Sequence, residues 1–217
     1  MKKREFIKSA AIAGAGLAVG YVSGQLTKSD MKKTNKKIVA INGSPHANGN
    51  MAFALSVMSE VFQTENVKFE IINIGQSDIR GCTACRVYRN QKIDCIHTGN
   101  DEKQWIDTMK TADAIILASP TFFGGIAGTM KSFLDKAFYG SSKDFSHKIG
   151  AAIVTTPRTG ASMTFEGLNQ YFTISQMTIA SSTYWNNIRG LTVGDLKQDA
   201  EGIRTLQNLA KNIINLL

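Results

Sequence analysis

Residues 37–51, Lys-Ile-Val-Ala-Ile-Asn-Gly-Ser-Pro-His-Ala-Asn-Gly-Asn-Met, constrain the fold of this chain more than any other stretch. Ile38 to Ile41 is a short, largely β-branched run and predicts a buried strand. Asn42-Gly43-Ser44-Pro45 breaks it with turn chemistry. A helical pattern opens at Asn50. Strand, tight polar loop and helix start make an anion site, because the first helical N–H groups lack partners and the helix dipole favours negative charge there. Ser44, Asn48 and Asn50 add side-chain donors. No Lys follows Gly49, which excludes a Walker loop, and Gly-x-Gly-x-x-Gly is absent. Several neutral donors suit a phosphate monoester, as on sheets that hold a flavin mononucleotide.

The first 36 residues read as a separate leader and polar linker, and residues 37–217 as one domain. Lys2, Lys3 and Arg4 precede a weakly apolar run from Ala10 to Gly24, and 25–37 is polar and lysine-rich. These are the parts of an export signal, with cleavage after Gly20 or Gly24. Lys3-Arg4-Glu5-Phe6-Ile7-Lys8 resembles the twin-arginine pattern, with Lys for the first Arg. The expected location is exported or membrane-associated, the alternative cytoplasmic. The apolar run is shorter than the ~20 residues a membrane span needs. Of 25 Lys+Arg and 17 Asp+Glu, residues 1–37 hold nine bases and two acids, which leaves 16 against 15. The near-neutral remainder argues against nucleic-acid binding.

Along the domain, Asn50 to Gln63 predicts a helix with Phe53, Ala54, Val57, Met58 and Val61 on one face. Val67 to Ile74 is a second strand. A helix holding Trp105, Ile106 and Met109 closes at 110–113. Ala114 to Ala118 is a wholly apolar third strand, as a strand covered on both faces must be. Gly128 to Tyr139 is a helix with Met130, Phe133, Leu134, Ala137 and Phe138 inward. Ile149 to Thr155, a helix over Thr164 to Gln176, a strand over Met177 to Ser182 and a helix over Asp199 to Leu217 complete the chain. Alternating strands and helices predict an α/β three-layer sandwich around a five-stranded parallel sheet in the order 2-1-3-4-5. Ligands on such sheets lie at the carboxyl ends of the strands. Three loops meet there: Gly43 to Asn50, Ser119 to Gly128, and Thr156 to Phe165. The second holds Phe122 and Phe123 in a Gly-rich run, where aromatic faces and close-approaching backbone suit a planar ring.

Gly43-Ser44-Pro45 with Gly49-Asn50, Ser119-Pro120-Thr121-Phe122-Phe123-Gly124, and Lys131-Ser132-Phe133-Leu134-Asp135-Lys136 resemble the NADPH-dependent FMN reductases of the flavodoxin-like superfamily. Gly81-Cys82-Thr83-Ala84-Cys85 is similar to the iron–sulfur flavoprotein branch. Arg158-Thr159-Gly160 with Tyr171 and Phe172 resembles its third flavin loop, and Tyr184-Trp185-Asn186 its last strand. The resemblance covers 37–217 and implies a flavodoxin-like fold. It implies FMN bound by Ser44, His46, Asn48, Gly49, Asn50 and Met51, by Pro120, Thr121, Phe122, Phe123 and Gly124, and by the loop around Arg158. His46 stands where many relatives have Arg. The iron–sulfur branch uses four clustered cysteines, whereas this chain has three, Cys82, Cys85 and Cys95, with Tyr88 at the third expected position. A four-thiolate cluster is not expected, and metal binding, a disulfide and free thiols remain open.

The resemblance further implies transfer of electrons from NAD(P)H to a quinone, free flavin, nitroaromatic or metal ion over the exposed flavin face. The flavin does the chemistry, so no side chain is singled out as catalytic. An exported copy meets little NAD(P)H, which favours a quinol or protein donor there. The alternatives are an electron carrier, an iron–sulfur flavoprotein, and a flavodoxin-like domain without flavin. Carriers are usually strongly acidic, unlike this domain. Relatives of this fold often complete the flavin site across a two-fold interface, and a monomer would leave the aromatic surface of Tyr184, Trp185, Phe122 and Phe123 partly exposed, so the resemblance implies a homodimer.

Overall fold

The computed structural model describes residues 35–87, 95 and 97–217. The leader and Tyr88 lie outside them. Five strands run in parallel: β1 (Lys37–Asn42), β2 (Lys68–Asn73), β3 (Ala114–Phe122), β5 (Ile149–Thr156) and β6 (Thr178–Ile179), in the order β2-β1-β3-β5-β6. This is the expected 2-1-3-4-5 order. Two short strands add to it. β4 (Gly125–Ile126) pairs antiparallel with β3, and β7 (Asn187–Arg189) pairs parallel with the carboxyl end of β5.

The apolar runs divide their side chains between two cores. Ile38 and Ala40 of β1 and Ile116 and Ala118 of β3 face one way, into a cluster with α1 (Asn50–Thr64) and α5 (Ala200–Leu216). Val39, Ile41, Ile115 and Leu117 face the other way, onto α2 (Asn100–Lys110), α3 (Gly128–Ser141) and α4 (Ala161–Ile174). Period-2 alternation in a sheet covered on both faces has this consequence. The α3 face is as expected: Met130, Phe133, Leu134, Ala137 and Phe138 are all buried. On α1 the buried set is Met51, Ala54, Leu55, Val57, Met58 and Phe62, while Phe53 and Val61 are only partly covered. The helix is turned a little further about its axis than its sequence suggests.

The edge away from the site is fixed by charge. The Lys37 backbone N–H donates to Asp113 Oδ2 at 2.9 Å and Lys36 Nζ to Asp113 Oδ1 at 3.1 Å. Burial opposes ionisation of Asp113, but these donors outweigh it and hold its carboxyl below the usual range. Lys148 Nζ donates to the Lys110 and Ala112 carbonyls at 2.8 and 2.6 Å, which stitches the end of α2 to the start of β5. Among the described residues no helix is long and apolar enough to cross a membrane.

Candidate functional site

At the carboxyl edge of the sheet, Asn42 governs the first loop. It is buried, its Nδ2 donates to Asn73 Oδ1 at 2.8 Å, and its Oδ1 accepts the Ser44 backbone N–H at 3.0 Å. One amide side chain thereby joins the end of β2 to the turn after β1. Ser44 is buried, and its Oγ accepts the His46 backbone N–H at 3.2 Å. The loop then closes through Gly49 N–H on the His46 carbonyl at 3.1 Å. Gly49 stands at the N-cap of α1, and no side chain caps that helix. The first N–H groups of α1 therefore lack an intrahelical acceptor, which is what an anion needs.

Two glycines let the loop take this shape. A Cβ on Gly43 would stand 2.6 Å from Met130 Cβ of α3. A Cβ on Gly75, after β2, would stand 2.1 Å from the Ser44 carbonyl oxygen. The chain after β2 lies directly against the first loop, and Gln76 Nε2 donates to the Pro45 carbonyl at 2.7 Å.

The second loop is a hairpin. β3 runs on through Phe122 and pairs with β4, Thr121 opposite Ile126 and Phe122 opposite Gly125. The two residues between, Phe123 and Gly124, have φ of 51° and 75°. Positive φ at both central positions is the backbone of a type I′ turn. Phe123 is a bulky residue in the left-handed region, which costs about 1–2 kcal/mol, and its ring is fully exposed. Phe122 is about half exposed, at 46 %. Neither ring fills core, and both stand at the mouth of the site. Ser119 Oγ anchors the hairpin by accepting the Ala127 backbone N–H at 3.0 Å.

The third loop is shorter than expected, because α4 begins at Ala161. Arg158 on it is exposed. Gly160 has φ of 84°, and a Cβ there would lie 2.9 Å from Gly124 Cα and 3.2 Å from Thr121 Cγ2. Loops two and three therefore touch through backbone. Tyr171 and Phe172 do not belong to this loop. Phe172 is fully buried against Gly150 of β5, where a Cβ would meet its ring at 2.5 Å. Tyr171 donates its hydroxyl to Asp135 Oδ1 at 2.6 Å across the α3–α4 seam. Burial and the Asp135 carboxylate push that phenol well above its usual range.

A fourth loop, Gly190 to Gly194, completes the ring. Gly190 N–H donates to the Thr156 carbonyl at 3.1 Å. Asn50 Nδ2 donates to the Thr192 carbonyl at 2.9 Å, and a Cβ on Gly190 would lie 2.5 Å from that Nδ2. Asp195 holds the loop's shape by accepting from the Leu191 and Thr192 N–H groups and the Thr192 hydroxyl. Those three donors keep its carboxyl below the usual range. One of the two Asn50 amide N–H donors is thus bound to the fourth loop. Of the other expected site residues, Met51 turns its side chain into the core at 1 % exposure, leaving only its backbone N–H toward the loop. His46 and Asn48 are exposed at the rim, and Pro120 and Thr121 are half-buried. Tyr184 and Trp185 precede β7 rather than lying in it, with ring centroids 5.2 Å apart.

The ring of loops presents uncapped helix N–H groups, exposed His46 and Arg158, and two exposed phenylalanines. Asn50 Oδ1 and Thr121 Oγ1 are buried with no hydrogen-bond partner among the described residues. Buried polar atoms are normally paired, and a polyhydroxy ligand with a terminal phosphate supplies both kinds of group. A family model described as NADPH-dependent FMN reductase matches residues 36–189. The chain belongs to the NADPH-dependent FMN reductase family. An iron–sulfur flavoprotein of Methanocaldococcus jannaschii is 25% identical over 190 residues, covering 83% of this chain and 97% of that one. Two solved structures share the flavodoxin-like fold. One is the flavoenzyme NAD(P)H:(acceptor) oxidoreductase FerB of Paracoccus denitrificans, with a TM-score of 0.60, 16% identity and coverage of 83% and 98% of the two chains. The other is a flavodoxin from the domain Archaea, with a TM-score of 0.53, 17% identity and coverage of 82% and 99%. Membership of the FMN reductase family carries FMN-dependent oxidoreduction as the general chemistry.

Proposed function

We propose that the protein is an FMN-dependent oxidoreductase that takes electrons from NAD(P)H and passes them to a quinone-like planar acceptor. The observation that carries this reading is the pairing of an anion-binding loop with an aromatic hairpin on one sheet edge. Bound FMN would supply hydride acceptance and electron release. The chain's part is binding and orientation. The N–H groups at the start of α1, with Ser44, would hold the phosphate. Thr121 and Asn50 offer their unpartnered oxygens to the ribityl hydroxyls. Phe122, Phe123 and the Gly124–Gly160 contact bound the ring's place with apolar surface and backbone. Exposed Arg158 and His46 on these loops would attract the phosphates of a reduced nicotinamide nucleotide. No side chain is needed as acid or base.

The exposed Phe122 and Phe123 rings favour a flat acceptor that follows the donor onto the same face. The near-neutral domain argues against a pure carrier. Exposed Phe123, Tyr184 and Trp185 support a homodimer that covers part of this surface. The test is anaerobic mixing of FMN-loaded protein with NADPH or NADH, followed by a benzoquinone. Bleaching of the flavin band by the nucleotide and its return on adding quinone are expected. Flavin that stays oxidised under excess of both nucleotides would overturn the donor assignment.

A further inference from the structure

A second recess lies along α3, away from the flavin loops. Cys82, Cys85 and Cys95 line it together with His97 and Lys136. These are all the cysteines of the chain. The segment before Cys82 lies against α3: a Cβ on Gly81 would approach Ser132 Oγ at 3.8 Å. Relatives named iron–sulfur flavoproteins raise the question of a cluster here. The donor set does not fit one. A cubane takes four thiolates, the chain has three, and among the described residues no three His, Cys, Asp or Glu side chains are grouped as a metal site.

We propose instead that Cys82 and Cys85 form a thiol–disulfide couple that exchanges with small-molecule disulfides. Both side chains are exposed, as an exchanging pair must be. Two residues separate them, and Ala84 between them has φ of 51°, which turns the chain back so that both line one recess. The Ala84 N–H donates to Cys82 Sγ at 3.4 Å and fixes that sulfur at the open side of the loop. The floor does not compete, since the Lys136 ammonium is already paired with Glu102 and bonded to the His97 carbonyl. Cys82 Sγ, having lost its proton, attacks one sulfur of the small disulfide. That S–S bond breaks, and the leaving thiolate takes a proton. Cys85 Sγ, also deprotonated, then attacks Cys82 Sγ in the mixed disulfide and releases the second thiol. The two protein thiols are oxidised to one disulfide, and one small disulfide is reduced to two thiols.

The experiment uses the full chain with oxidised glutathione as the probe, followed by alkylation of remaining thiols and peptide mass mapping. One alkylated cysteine, Cys95, and a peptide linking Cys82 to Cys85 are expected. Cys85→Ser should stop at a glutathione adduct on Cys82, and Cys95→Ser should still form the bridge. Because the loop is exposed, the Ser variants should match the parent in circular dichroism and FMN content. Three alkylated thiols, or a bridge that includes Cys95, would overturn the proposal. So would a cluster that survives gel filtration after anaerobic reconstitution with iron and sulfide.

Discussion

Gly75→Ala should abolish useful FMN affinity while leaving most of the fold in place. The new methyl would stand 2.1 Å from the Ser44 carbonyl oxygen and 2.2 Å from its carbon, both backbone atoms. Backbone cannot rotate away as a side chain does, so the first loop must move. Overpacking of this kind costs about 1–3 kcal/mol of stability. The displaced loop also loses its alignment with the start of α1. A fall in FMN affinity of about 100-fold or more is expected, equal to ~2.7 kcal/mol. Titration of the apoprotein with FMN by fluorescence quenching measures it. Gly128→Ala is the control, because nothing lies within 4 Å of its added Cβ, and its affinity should be unchanged. Equal affinities for the two variants would show that the Ser44 loop is not the phosphate site.

Lys136→Met should be the costlier change for stability. The Lys136 side chain has no exposed surface and that of Glu102 only 10 %, and the two form an ion pair between α3 and α2. Removing the ammonium leaves a buried carboxylate whose other partner is a single N–H, from Gly99 at 3.3 Å. Breaking one side of a buried pair costs about 3–5 kcal/mol. For a domain of this size that lowers Tm by roughly 10 °C. Removing the charge on both sides, Lys136→Met with Glu102→Gln, should recover most of the loss, because no unpaired charge then remains. Thermal unfolding of the two variants decides it. A single variant as stable as the parent would mean that water reaches Glu102 once Lys136 is gone.

The sheet order was legible because Ile38 to Ile41 and Ala114 to Ala118 are apolar on every residue, as a doubly covered parallel strand must be. The α3 face was legible for the same kind of reason, a clean helical period. Other features could not be read from pattern. The hairpin at Phe122 lacks the Asn-Gly or Asp-Gly signal that marks a type I′ turn, so β3 was expected to stop at Ala118. The strand expected over Met177 to Ser182 shrinks to Thr178–Ile179, at the sheet edge. Ser44 and the helix start at Asn50 were visible as local loop chemistry, whereas the cap position falls to Gly49. Gly75, Gly190 and Thr192 were not, because their roles come from approaches between segments distant in sequence. Asn50 was visible as an amide at a helix start, but its partner 142 residues away was not. Met51 follows the helical phase into the core, which adjacency to the loop concealed.

The most direct test of the account is the identity of the cofactor that the domain retains. Protein expressed with its own cofactor supply, or apoprotein incubated with a mixture of riboflavin, FMN and FAD, is gel-filtered, heated and analysed by mass spectrometry. The account predicts FMN at about one per chain. The N–H groups at the start of α1 receive one terminal phosphate, and the chain has no dinucleotide fingerprint. Retention of FAD, or of riboflavin as tightly as FMN, would contradict the phosphate site. A colourless chain that takes up none of the three would contradict the flavin reading itself.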